Sequence, residues 1–173
     1  MEIGLLSDTH GWLHPRLAHH LKGVDEIWHA GDLGHVSLVP QLEQWAPVRG
    51  VFGNIDGTDL RKIWPLWQDF TIMGCRILMT HIAGYPGKYT AEVRQKLNTQ
   101  PPDVLICGHS HIVKVMKDPR YGHLHINPGA AGHHGWHKVM TLVRFSLTEK
   151  GISDFKLIEL GPRGQALPLE GLV

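Results

Sequence analysis

The feature that most constrains the fold of this 173-residue chain is a repeated pattern in which a short apolar run ends in Asp, Asn or His, usually beside Gly. In α/β sheets, ligands bind outside the carboxyl ends of the strands, and Gly lets the backbone turn sharply there. The pattern therefore predicts that distant side chains meet in one site. The five run ends are Asp8-Thr9-His10, Gly31-Asp32, Gly53-Asn54-Ile55-Asp56, Thr80-His81 and Gly108-His109-Ser110-His111.

Strand and helix signals alternate in the first half of the chain, which is typical of parallel βαβ units, and successive hairpins follow in the second half. Together they predict an α/β fold with mixed sheets: a two-sheet α/β/β/α sandwich in one domain, residues 1–160, followed by an irregular Gly- and Pro-rich tail, 161–173. The expected strands are 3–7, 26–30, 48–52, 103–107 and the hairpins 69–80, 113–127 and 139–160, and the expected helices are 16–21, 36–45 and 90–97.

Composition excludes several classes of function. The formal net charge of +1 gives no electrostatic case for a nucleic-acid-binding or membrane-surface protein, although a nucleotide remains an acceptable small substrate. The start of the chain has no basic and apolar leader pattern, and no apolar run reaches the roughly 18 residues that span a bilayer. The two cysteines, Cys75 and Cys107, form no CxxC pair, so we expect a reduced, cytoplasmic chain.

The ligand chemistry of the strand ends indicates a transition-metal site. Asp, Asn and His form a mixed oxygen and nitrogen set, which suits Mn, Fe, Zn, Ni or Co better than Ca, and the lack of a ligand Cys argues against structural zinc. Alternate side chains of extended backbone share a face, so Asp8 with His10, and His109 with His111, can each reach one ion. Each motif alone is weak, but all five in order are hard to reach by chance.

As a set, these motifs resemble those of the calcineurin-like metallophosphoesterase family: DxH, GD, GN-x-D/E, a lone His and GHxH. The small size and the later Asn127-Pro128-Gly129 look like the compact bacterial and archaeal phosphodiesterase branch. The resemblance implies the two-sheet fold and two divalent ions, with Mn as first choice and Fe, Zn, Ni or Co as alternatives. Its implied ligands are Asp8, His10 and His111 for one ion, Asn54, His81 and His109 for the other, and Asp32 as the bridge.

The resemblance also implies hydrolysis of phosphodiesters by in-line attack of a metal-bound hydroxide, with Asp32, Asn54, His81 and His109 as the catalytic set. One departure matters: where many family members carry His after the GN asparagine, this chain has Ile55, which can neither donate nor accept a proton. We therefore expect a preference for diesters with acidic leaving groups.

Several further residues are candidates for substrate contact or support. His133 and His134 follow the Asn-Pro-Gly turn and are candidate phosphate contacts, although a solvated loop is the plainer interpretation. Asp56 is a candidate substrate contact whose more expected task is to hold its loop. His29 is either a partner of a metal ligand or a plain core histidine, and His123 and His125 are expected on one face of a strand.

Alternatives remain open at this stage. The expected partner is a small phosphodiester, with nucleotide-derived diesters included and membranes excluded, and a homo-oligomer through the hairpin edges is an open alternative. A phosphomonoesterase is the nearest other enzyme. A catalytically weak scaffold for protein contacts, as in the retromer subunit of this fold, is the other class, but all seven ligand positions here hold plausible ligands.

Overall fold

The computed structural model describes residues 1–164 and contains two five-stranded mixed sheets and a small two-stranded one. The strands of this part of the chain are β1 (Glu2–Leu6), β2 (Glu26–His29), β3 (Val48–Gly50), β4 (Trp67–Ile72), β5 (Cys75–Thr80), β6 (Gly84–Tyr85), β7 (Lys88–Tyr89), β8 (Val104–Ile106), β9 (Val113–Lys117), β10 (Leu124–Pro128), β11 (Val139–Thr148) and β12 (Gly151–Pro162).

The helices are short. They are α1 (Leu17–His20), α2 (Val39–Glu43), α3 (Thr58–Ile63) and α4 (Ala91–Thr99). The predicted helix 36–45 is instead a 3-10 turn, Val36–Leu38, followed by α2. Pro40 has no N–H for a hydrogen bond in the interior of a helix, whereas in the first turn of α2 the missing N–H costs nothing. Across residues 1–164, no helix combines the length and the apolar composition that a bilayer crossing requires.

Each of the two large sheets contains three parallel strands that lie side by side. The first has the order β12-β11-β1-β2-β3, in which β1, β2 and β3 are parallel. The second has the order β4-β5-β8-β10-β9, in which β5, β8 and β10 are parallel. Antiparallel pairs close three of the four outer edges, as the change of pattern along the sequence predicted, and the parallel strand β3 forms the fourth. The motif-bearing segments thus all follow parallel strands.

Side-chain alternation along the strands produces four layers. Leu5 points between the two sheets, where it packs in one cluster with Trp28 and Phe145, whereas its neighbour Leu6 packs against α1 and α2. In the second sheet Leu78 faces outward, toward the cluster that holds Val93 of α4. The predicted α/β/β/α sandwich is therefore confirmed.

Sequence reasoning missed three local features. Helix α3 is short and charged, with only Leu60 buried, so it has little apolar periodicity. The two-residue strands β6 and β7 are too short to give a pattern. Strand β12 runs through Pro162, so the first two residues of the expected tail belong to the sheet, and residues 165–173 of that tail lie outside the described part of the chain.

Candidate metal centre

The predicted ligands meet at the rim where the parallel strands end. Six of them form two adjacent groups, and within each group one ligand atom per residue lies within 4.8 Å of the others. The loops after β1 and β8 supply the first group, and the loops after β2, β5 and β8 supply the second. The first group is Asp8, His10 and His111, and the second is Asp32, His81 and His109.

Two carboxylates lie between the groups. Oδ2 of Asp32 is 3.2 Å from Nε2 of His81 and 3.9 Å from Nε2 of His10, so it faces a histidine of each group. Oδ1 of Asp8 is 3.1 Å from Nε2 of His111 and 3.9 Å from Nε2 of His81. A carboxylate in such a position can serve two neighbouring cations, so the placement of Asp32 fits its implied bridging role.

Two buried polar atoms make the strongest case that a cation fits here. Oδ1 of Asp8 and Nε2 of His81 are buried and form no well-aligned hydrogen bond within residues 1–164; each instead faces another ligand atom, Nε2 of His111 at 3.1 Å and Oδ2 of Asp32 at 3.2 Å. Unpaired buried polar atoms are costly, and a bound divalent ion would satisfy both. The opposite atoms are held in place: Nδ1 of His81 donates to the Ala30 carbonyl at 2.8 Å, and Oδ2 of Asp8 accepts from the His109 amide at 3.1 Å. Such orientation is typical of metal ligands.

Backbone strain is concentrated at the same residues. Of seven non-glycine residues with positive φ in the described chain, five belong to the two groups, and the remaining two are Met73 in a turn and Asp154 at a register shift inside β12. The left-handed region is rarely occupied by such residues, and strain of this kind collects at functional sites. The five φ values are 55° for Asp8, 50° for His10, 54° for Asp32, 68° for His109 and 58° for His111.

The electrostatics favour a cation. Burial alone lowers the pKa of His81, but the carboxylates of Asp32 and Asp8 outweigh it, so the pKa lies above its usual value. Burial dominates for His10 and His109, whose pKa values are lowered. Burial raises the pKa of Asp32, but His81 and the Ile55 amide outweigh it, and the pKa is lowered. The surroundings therefore favour an anionic Asp32 and neutral rings at His10 and His109, and a cation that bound to His81 would compete with the proton that Asp32 and Asp8 favour on its ring.

Glycine is required where one motif packs on another. A Cβ on Gly31 would lie 2.6 Å from Nδ1 of His81, and Gly31 has φ 94°. A Cβ on Gly53 would collide with Oδ1 of Asp32. The Gly residues of the GD and GN pairs thus allow backbone to approach the neighbouring ligand closely.

The two polar residues of the GN-x-D motif, Asn54 and Asp56, have different surroundings. Asn54 is exposed and, together with His81, lines a cleft beside the second group. Asp56 is 3% exposed, and its carboxylate accepts from the amides of Gly53 at 2.7 Å and Gly34 at 2.8 Å. Asp56 therefore holds the loop, as expected, and its burial corrects the alternative of a substrate contact.

The loop after β10 lies over the first group. The ring of His134 is 5.1 Å from that of His10, and the ring of His133 is 4.8 Å from that of Trp12, measured between centroids. Both histidines are exposed, so a bound phosphate beside His10 would be open to them.

Two supporting residues clarify or extend the sequence interpretation. Nε2 of His29 is 3.1 Å from Oγ1 of Thr9, and its Nδ1 accepts from the Gly31 amide, so this buried histidine ties the first motif to the second.

Sequence reasoning missed the role of Asn127, whose amide donates to the Gly108 carbonyl at 2.7 Å and to Oγ of Ser110 at 3.1 Å. Its place in the Asn-Pro-Gly turn was the available signal.

Comparison with known proteins identifies the class. The profile of the calcineurin-like phosphoesterase superfamily domain matches residues 1–150, and the chain belongs to this superfamily. Membership implies divalent metal ions, and the two ligand groups are candidate sites for those ions.

Particular relatives agree with this assignment. A probable metallophosphoesterase of Methanothermobacter thermautotrophicus is 31% identical over 140 residues, which are 75% of this chain and 77% of that protein. A single mutant of Vps29 from Entamoeba histolytica has a similar structure, with a TM-score of 0.71, 16% identity and coverage of 92% and 99% of the two chains. An archaeal phosphodiesterase has a TM-score of 0.67, 22% identity and the same coverage. At these identities the structural likenesses show the fold alone.

Proposed function

We propose that this protein hydrolyses phosphodiester bonds with the help of two divalent ions held at the rim of the sheets. The observation that carries the proposal is the pair of adjacent ligand groups, with the carboxylate of Asp32 facing a histidine of each group. In this proposal Asp8, His10 and His111 hold one ion, Asn54, His81 and His109 hold the other, and Asp32 bridges them.

The chemistry of the ions would be to lower the pKa of a bound water and to neutralise the phosphoryl oxygens. The protein would orient the reaction. The Ala30 carbonyl fixes the ring of His81, and the His109 amide fixes Asp8. His134, whose ring is 5.1 Å from that of His10, and His133, whose ring contacts Trp12, would be the candidate donors to a phosphate oxygen.

We infer a preference for diesters with acidic leaving groups. Ile55, next to Asn54, is 46% exposed at the site and has no group that can protonate a departing oxygen. An acidic alcohol leaves without such help, whereas a weakly acidic alcohol does not. Manganese is the first-choice ion because the donors are carboxylates, imidazoles and an amide. We place the enzyme in the cytoplasm, since Cys75 and Cys107 are free thiols.

The test is turnover of bis(4-nitrophenyl) phosphate after removal of bound metal and addition of Mn²⁺, Fe²⁺, Zn²⁺, Ni²⁺ or Co²⁺ in turn. We expect steady turnover with Mn²⁺ and slower turnover of 4-nitrophenyl phosphate. Aryl diesters of graded leaving-group pKa should react more slowly as that pKa rises. A folded protein that turns over no diester with any ion would support the scaffold alternative, and a flat leaving-group dependence would mean that another residue acts as the acid.

A further inference from the structure

A cleft of about 400 Å³ opens directly beside the second ligand group. Asn54 and His81 form part of its wall, so the cleft is continuous with the metal centre. The rest of the wall is mostly apolar, and its large side chains are Phe52, Leu66, Trp67 and Ile82. The volume lies within the range of small-molecule sites, which are typically apolar concavities with a few polar groups.

Exposure sets this cleft apart from an ordinary surface groove. Leu66 is 49% exposed and Ile82 is 41% exposed, although neighbouring apolar side chains of this size usually turn inward. Contiguous exposed apolar surface next to polar groups marks binding sites in soluble proteins. An apolar group that entered the cleft would remove these side chains from water.

The polar rim of the cleft carries one charge of each sign. Glu92 is the anion and Arg61 is the cation. The Arg61 guanidinium is already engaged: Nε donates to the Asp56 carbonyl at 2.7 Å, and the group lies 4.7 Å from the centroid of the Phe52 ring. One charge of each sign gives a second phosphate no net attraction, so the rim favours an uncharged occupant.

We propose that this cleft binds one ester arm of the substrate, and that the arm is uncharged and carries a ring, as in aryl or nucleoside esters. The inference rests on the proposed function, because a phosphate held by ions at His81 would direct one of its two arms along Asn54 into the cleft. Short alkyl arms would leave the apolar wall in water, and phosphorylated arms would meet Glu92.

Binding of phosphonates to the Mn²⁺-loaded protein tests this without turnover. Phenylphosphonate and methylphosphonate carry the same metal-binding group and differ only in the arm. The ratio of their dissociation constants, measured by calorimetry, therefore gives the contribution of the cleft to binding. We expect phenylphosphonate to bind at least about tenfold more tightly, since burial of a ring contributes more than the 1.4 kcal/mol that a factor of ten requires.

Variants of Leu66 then locate the effect. Leu66→Ser removes apolar wall and Leu66→Trp fills the cleft, so each should reduce the ratio to about threefold or less. Leu157→Ser is the matched control, because Leu157 is 46% exposed on β12, away from the cleft. A wild-type ratio near one, or a ratio unchanged in both Leu66 variants, would overturn the inference even if bis(4-nitrophenyl) phosphate is hydrolysed. A tenfold ratio in a protein that hydrolyses no diester would support binding of the ester arm in the cleft and would contradict the proposed hydrolysis.

Discussion

Two histidine clusters in this molecule show opposite uses of the same side chain. The rim cluster, His10, His81, His109 and His111, lies at strand ends with Asp8 and Asp32 between its rings. The inner cluster, Tyr89, Cys107, His123 and His125, lies on the outer face of the second sheet. The rim cluster gathers the ligand atoms of several rings and two carboxylates around one place, whereas the inner cluster forms hydrogen bonds within itself, although Nδ1 of His123 has no partner in the described chain.

The inner cluster is built as part of the core. The Tyr89 hydroxyl is 2.9 Å from Nε2 of His123 and 3.4 Å from Nδ1 of His125, and the Cys107 sulfur is 3.7 Å from Nε2 of His125. All four residues are at most 5% exposed. Burial lowers the pKa of His125 to about 4 and raises the pKa of Cys107 to about 12, so both groups are neutral at pH 7. Both ring nitrogens of His125 face a partner inside the cluster, so neither is left for a cation.

The comparison teaches that position relative to the strand decides the role. In the rim cluster, His10, His109 and His111 have positive φ, which turns them out of the strand direction toward the carboxylates. His125 lies inside β10, where its ring is directed by regular strand geometry onto one face of the sheet. A histidine beside Gly at a strand end is therefore a metal-ligand candidate, and one inside a strand is a packing candidate.

The largest effect should follow from breaking the rim cluster. Asp32→Asn removes the negative charge between the two groups, and we expect turnover of a diester to fall by about 1,000-fold or more, equivalent to about 4 kcal/mol. Bound Mn²⁺, measured by elemental analysis of dialysed protein, should also fall below two ions. Asp59→Asn is the control, because Asp59 is exposed and pairs only with Lys62 of its own helix. Full activity in Asp32→Asn would contradict the bridging assignment.

The sequence predicts a feature of the fold or the site only where a local pattern of residues indicates it. The strands, their parallel order and the meeting of the strand-end motifs follow from apolar runs and adjacent Gly residues. The positive φ of Asp8 or Asp32 does not, because neither residue type requires that conformation and the neighbouring loops impose it. The contact between Asn127 and Gly108 joins residues 19 apart, and the cleft beside His81 is formed by segments whose packing no single motif encodes.

Breaking the inner cluster should affect stability and spare the metal centre. His125→Ala removes a fully buried ring and leaves the Tyr89 hydroxyl and the Cys107 thiol short of a partner, so we expect the free energy of unfolding to fall by about 3 kcal/mol. Urea unfolding of metal-free protein measures this. The folded variant should still bind two Mn²⁺ ions, whereas exposed His19→Ala should change neither quantity. Loss of both ions in folded His125→Ala would mean that the clusters are not separable.

The inner cluster should also make the free energy of unfolding depend on pH, with a smaller effect than the loss of the His125 ring. The pKa of His125 is about 4 in the folded protein and near 6.5 when unfolded, so the unfolded chain binds more protons between these values. Stability from the neutral ring is present above pH 6.5 and is lost as pH falls toward 4. Between pH 7 and pH 5 the metal-free wild type should lose about 2 kcal/mol more than His125→Ala. Parallel pH profiles of the two proteins would contradict this.

The smallest and most discriminating effect concerns Asn127, which joins the two clusters. Its side-chain amide donates to the Gly108 carbonyl and Ser110 hydroxyl and lies 3.8 Å from the Cys107 sulfur, while its Oδ1 accepts from the Gly129 amide at 2.9 Å. The loop that it holds carries one residue of each ligand group, His109 and His111. Asn127 is therefore placed to orient both groups at once, although it belongs to neither.

Asn127→Ala should accordingly weaken both ions together. We expect Mn²⁺ affinity at each site to fall by about tenfold, equivalent to about 1.4 kcal/mol, because partners that orient ligands usually contribute 10- to 100-fold in affinity or activity. Calorimetric titration of the folded variant measures this, with exposed Asn98→Ala, which loses only its bond to the Tyr121 hydroxyl, as the matched control. Weakening of a single ion would assign Asn127 to one group only. Unchanged affinity at both would show that strand-end geometry holds the Gly108–His111 loop without it, and the two clusters would then be independent.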